Sequence, residues 1–198
     1  DKDKIVQDIR KTEFSLKKMV EEYLTPYAQI EKKKRAGAKY IVHFSKAEKL
    51  FKWFPDCKII HITRDPRAIC SSKVYDEATC RRKKQYPYLK LFFHYGTIFY
   101  FIHEFNRSSQ VYNIFRERDN YYLIRFEDLV SAPKKNLSKL CEFLELKFSE
   151  KMMHQKGKPS SYSRKMYCGF DVSRLFNWQK NMSKIDINII AVFSLRTA

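Results

Sequence analysis

The chain has 198 residues, with 40 lysines and arginines against 22 aspartates and glutamates, a formal net charge of +18. At 44% hydrophobic and 16% aromatic, with no Pro/Ser/Gly-rich stretch, it reads as one folded domain over residues 1–198, which excludes a disordered chain. The charge points to a polyanionic partner, whether nucleic acid, an anionic membrane surface or an acidic glycan, and composition does not choose among them.

In chain order, residues 3 to 35 are highly charged, with Ile5, Ile9, Leu16, Val20 and Leu24 spaced for amphipathic helices that end at the Lys32-Lys33-Lys34-Arg35 run and Gly37. A short strand is predicted over 39–44 and a helix over 45–53, closed by Phe54-Pro55-Asp56. The run Ile59, Ile60, Ile62 predicts a buried strand that stops at Thr63-Arg64-Asp65-Pro66. Proline cannot continue a central strand but suits the first turn of a helix. Residues 76–88 read as a polar, basic loop. A long aromatic helix follows over 89–118, with Phe92, Tyr95, Phe99, Ile102 and Phe105 at helical spacing as core positions. YYLIRF at 121–126 is a second strand, Glu127-Asp128-Leu129 turns out of it, and Ser131-Ala132-Pro133 starts a helix. Residues 149–174 read as a polar functional loop and 177–193 as a final helix. Strands alternating with helices predict an α/β fold with a parallel sheet.

Five scattered cysteines lack any CxxC pair, so a zinc site is not expected. Cys57, Cys70 and Cys141 lie in apolar contexts and read as buried thiols, whereas Cys80 and Cys168 could pair in an oxidising compartment. Sequons at Asn106, Asn136 and Asn181 point weakly to a secreted or lumenal chain. No apolar run reaches the roughly 18 residues of a membrane-spanning helix. No signal peptide precedes residue 1, and a chain that begins with Asp reads as a fragment.

The segment from Lys58 to Ser72 carries the chemistry. Arg64 and Arg67 fall at the carboxyl end of a strand, where open α/β sheets bind ligands, with Ser71 and Ser72 one to two turns into the helix. Two guanidiniums beside hydroxyls suit a phosphate.

Arg64, followed eight residues later by Ser72 in an RDPRA frame, resembles the 3′-phosphate motif of sulfotransferases, which use 3′-phosphoadenosine 5′-phosphosulfate (PAPS) as donor. Residues 121–146 are similar to the strand, acidic turn and helix that follow it in that family. There Phe126 stands at an aromatic position near the nucleotide, where tyrosine is common, or it is simply a core residue at a strand end. Residues 175–193 resemble the last helix of the animal carbohydrate sulfotransferases, with Trp178 and the Asp186-Ile187 step in register. The loop before that tryptophan closes over the nucleotide in the family, which makes Ser160, Ser161, Ser163, Arg164 and Arg174 candidates. A solvated basic loop is the competing reading for each. Upstream, Gly37-Ala38-Lys39-Tyr40-Ile41 matches a family G-E-K-T-P segment only at Gly37 and Lys39, and His43 is the nearest titratable group for the missing acid. The family's glycine-rich 5′-phosphosulfate loop, which resembles a P-loop in its physics, has no counterpart among the four glycines.

The resemblance spans residues 37 to 193. It implies a three-layer α/β/α sandwich of P-loop NTPase type lacking its first βα unit, and a donor site formed by Arg64, Ser72, Phe126, Ser161 and Arg174. It also implies PAPS as co-substrate with no metal, and sulfuryl transfer to an acceptor hydroxyl. The catalytic base is unassigned and Arg67 is expected to be structural. The expected acceptor is an acidic glycan or glycoprotein, in the Golgi lumen with a membrane anchor upstream, or alternatively in the cytoplasm. The chain alone is expected to be inactive. The competing function is a basic nucleic-acid-binding α/β domain, supported by charge and aromatic content but lacking any recognition-helix, RNP or finger signature.

Overall fold

The computed structural model describes residues 16–30, 32–33, 35–39, 46–154, 156–157 and 167–194. The chain forms two compact units, Asp1–Pro55 and Asp56–Ala198.

In the first unit, helix α1 (Leu16–Ile30) carries i,i+4 pairs Lys17–Glu21 and Lys18–Glu22, each at 3.8 Å. Helix α2 (Ala47–Trp53) buries Ala47 and Phe51. Of the strand expected over 39–44, residues 40–44 lie outside the described residues, and Lys39 itself is irregular and exposed.

In the second unit, β1 (Ile59–Thr63) and β2 (Tyr121–Arg125) pair in parallel, from Ile59 opposite Tyr121 to Thr63 opposite Arg125. The crossover between them runs through α3 (Pro66–Val74), α4 (Glu77–Gln85) and α5 (Lys90–Phe115). Then follow α6 (Phe126–Ser131), α7 (Pro133–Phe143), a two-residue hairpin of β3 (Lys156–Gly157) with β4 (Tyr167–Cys168), α8 (Asn177–Asn181) and α9 (Lys184–Phe193). The fold is α/β with a parallel sheet. Its core joins Ala68, Cys70 and Val74 of α3 to Ile98 and Ile102 of α5, with Trp178, Met182 and Ile190 from the carboxyl-terminal segment. Cys57, Cys70, Cys80 and Cys141 are free thiols. Cys70 and Cys141 are buried and Cys57 is half-buried. The side chain of Cys168 lies outside the described residues, as do those of Ser160, Ser161, Ser163 and Arg164.

Four sequence expectations need correcting. Residues 76–88 hold a helix, because Asp76 caps α4 by accepting from Thr79 N at 2.7 Å and Glu77 pairs with Arg81 at 3.1 Å one turn on. The single helix over 177–193 is two. Ser183 Oγ accepts from Asp186 N at 3.1 Å and Asp186 Oδ2 accepts from Ser183 N at 3.4 Å, a capping box that restarts the helix. Ile60 and Ile62 are exposed while His61 between them is buried, so among the described residues one face of β1 is uncovered. On α5 the buried stripe is Ile98, Ile102, Phe105 and Ser109. Phe99 lies one residue, about 100° of helix, from Ile98, which leaves both it and Phe92 exposed.

Candidate phosphate-binding site

Where β1 ends at Thr63, Arg64 and Asp65 turn the chain into α3. Asp65 is the N-cap: its Oδ1 accepts from Arg67 N at 2.8 Å, and Pro66 takes N1, where no backbone donor is needed. The same carboxylate holds Arg67 in a fork, with Nε at 3.0 Å from Oδ1 and Nη2 at 2.7 Å from Oδ2. Arg67 also stacks on Trp178, its guanidinium carbon 4.1 Å from the ring centroid, and its bond to Asp65 pushes its pKa up. Arg67 is thus committed to the fold, pinning the start of α3 to α8.

The turn is tied to the second strand as well. Asp65 N donates to Glu127 Oε1 at 2.9 Å, so the residue just past β2 fixes the corner just past β1. Glu127 Oε2 is buried without a hydrogen-bond partner among the described residues.

Arg64 is the group left over. Its Nη2 donates to the carbonyl of Arg174 at 3.1 Å, and its guanidinium carbon lies 4.5 Å from the centroid of the Phe126 ring. Among the described residues Nε is buried with no hydrogen-bond partner, and Arg64 makes no ion pair. Burial pushes its pKa down, the carboxylates of Glu127 and Asp65 push it up, and Arg174 opposes them. An arginine stays protonated through shifts of this kind. The result is a half-buried cation, aimed by a carbonyl and a ring face, with donor capacity unspent.

Phe126 and Arg174 therefore meet Arg64, though Arg174 does so through its backbone. Its own guanidinium pairs with Asp171 at 3.2 Å, and that carboxylate also accepts from Ser173 Oγ at 2.6 Å. The Ser173 bonds lead in holding Asp171 below its ordinary pKa. Ser72 is half-buried on α3, and no hydrogen bond joins it to Arg64. Ser161 and His43 lie outside the described residues, and Lys39 belongs to the other unit. Sequence reasoning placed Glu127 in a turn and missed its role. An acid directly after a strand, facing a second strand-to-helix corner, was the available signal.

The sequence model of the sulfotransferase family matches residues 4–150. The chain belongs to the sulfotransferase family. No curated protein matches it. Among solved structures it is similar to the sulfotransferase domain from the curacin biosynthetic pathway, at 17% identity and TM-score 0.54, over 85% of this chain and 66% of that one. It also matches the sulfotransferase domain of the Synechococcus PCC 7002 olefin synthase, at 19% identity and TM-score 0.49, over 88% of this chain and 64% of that one. The chain thus spans just under two-thirds of each. At 17% identity the first likeness speaks for the sulfotransferase fold alone.

Proposed function

We propose that this sulfotransferase-family chain binds PAPS by its 3′-phosphate and transfers the sulfuryl group to a hydroxyl of a carbohydrate acceptor. One observation carries the reading: Arg64, at the carboxyl end of a parallel strand, is a half-buried guanidinium with no direct ion pair among the described residues and a buried, unused Nε. Such a group fits a phosphate, whose oxygens accept from the guanidinium donors that no described side chain bonds. Ser72 would add a hydroxyl from α3, Phe126 a flat wall, and Ser161 and Arg174 the loop side. Arg67 is no ligand in this reading, since Asp65 and Trp178 occupy it.

In the transfer, the bond from sulfur to the donor's bridging phosphate oxygen breaks as one from sulfur to the acceptor oxygen forms, and the acceptor proton passes to a base. Positioning and cationic stabilisation of the oxygens supply the catalysis, and no metal is required. Support for one domain comes from the family match, which runs across the boundary between the two compact units. The carbohydrate acceptor rests on the net charge of +18 and on the resemblance of residues 175–193. A Golgi location rests on the sequons, and they differ: Asn181 is exposed at the end of α8, whereas Asn136 Nδ2 donates to both Asp128 O and Ala132 O, at 2.7 and 2.9 Å.

Calorimetric titration with 3′,5′-adenosine bisphosphate tests the reading. A charge-assisted bond of about 1.5–3 kcal/mol predicts that Arg64→Ala weakens binding roughly 10- to 150-fold. Equal affinity in the variant would contradict it.

A further inference from the structure

The corner between α4 and α5 is open to solvent along its length: every residue from 84 to 92 is exposed. Tyr88, Leu91 and Phe92 are 80%, 70% and 69% accessible, values unusual for such side chains when they sit side by side. The corner is nonetheless ordered. It turns through a short 3₁₀ segment, Pro87–Leu89, and the Tyr86 ring packs against Tyr88 and Phe93 at centroid distances of 6.3 and 6.2 Å.

Its charge is one-sided. Residues 78–103 contain no aspartate or glutamate, but include Arg81, Arg82, Lys83, Lys84 and Lys90. Lys83 turns inward, donating to Val74 O at 2.9 Å. Arg82, Lys84 and Lys90 remain exposed, with no acidic partner among the described residues.

We propose that this corner is a membrane-docking tip that seats Tyr88, Leu91 and Phe92 in the interfacial layer of an anionic bilayer, with Lys84, Lys90 and Arg82 against the lipid phosphates. The apolar side chains separate this partner from a purely electrostatic one. Leu91 and Phe92 gain from leaving water, tyrosine is favoured at the headgroup level, and the lysines reach back to the phosphate plane. A polyanion such as a glycan would match the lysines and leave the leucine and phenylalanine in water. No helix among the described residues is long and apolar enough to cross a membrane, so the tip would lie in the interface.

Co-sedimentation decides the matter, using phosphatidylcholine vesicles and vesicles of equal parts phosphatidylcholine and phosphatidylglycerol. The chain should bind the anionic vesicles at least about tenfold more tightly, and added salt should weaken that binding. The double variant Leu91→Asp, Phe92→Asp should lose most of it, and Lys84→Glu, Lys90→Glu likewise, with circular dichroism unchanged in both. If the first variant is unfolded, the single change Phe92→Ser replaces it. Failure to bind anionic vesicles overturns the proposal, as does binding that survives the loss of Leu91 and Phe92. A concentration-dependent dimer that the same substitutions abolish would overturn it too, by giving the patch to a second copy.

Discussion

His61 stands in the middle of β1 with its Nδ1 2.5 Å from the Tyr121 hydroxyl and its Nε2 2.7 Å from Ser108 Oγ. One ring therefore links β1, β2 and α5. Burial lowers its pKa to about 4. The folded chain thus keeps a neutral ring where the unfolded chain, with an ordinary histidine, takes up a proton. Stability is full above about pH 6.5 and falls as the pH drops towards about 4, by about 1.4 kcal/mol per unit and roughly 3 kcal/mol at most. Urea midpoints measured from pH 7 to 4.5 should show this slope, and His61→Gln should flatten it. A slope unchanged in the variant would assign the effect to other groups. The residue was hidden in the sequence because three isoleucines around it advertise a buried strand. The structure inverts that pattern, burying the histidine between exposed Ile60 and Ile62. Arg64 was legible for the opposite reason: a charged residue at an abrupt strand end has few structural uses.

At the scale of elements, the strand–turn–helix unit depends on Asp65, which caps α3, holds Arg67 and hands its own N–H to Glu127. Asp65→Ala removes the cap and leaves Arg67 against Trp178 without its counter-charge. A loss of about 1–2 kcal/mol is expected for the cap alone, with a further loss for the ion pair, read as a lowered urea midpoint. An unchanged midpoint would mean that the turn is held by the sheet alone. Ser183→Ala should cost about 1 kcal/mol, since it removes one half of the capping box of α9. The errors in reading elements from sequence share a cause. Asp76 with Thr79 and Ser183 with Asp186 are local capping signals, and periodicity taken over long windows passes across them. The long helix was legible, and Ile102 and Phe105 are buried with Tyr95 packed against the core, but Phe92 and Phe99 are exposed. Phe92, Tyr95 and Phe99 fall at helical spacing, yet which side of an aromatic helix is covered depends on partners far along the chain, here α3 and α9. The parallel pairing was legible, because two β-branched or aromatic strands joined through a long helical crossover leave few other topologies.

In the whole molecule, three distant segments converge on one cation at the end of β1: the turn at Arg64, the start of α6 at Phe126, and the backbone of Arg174 before α8. The family match covers Arg64 and Phe126 and stops before Arg174, and the phosphate reading of the three together is the proposal. The central claim is that Arg64 reads a 3′-phosphate, and a ligand–variant cycle tests it most directly. Affinities for 3′,5′-adenosine bisphosphate and for adenosine 5′-monophosphate are measured in the native chain and in Arg64→Ala. The 3′-phosphate should strengthen binding by roughly 10- to 150-fold in the native chain, and this increment should collapse in the variant. An increment of the same size in both proteins, with or without a uniform loss of affinity, would contradict it.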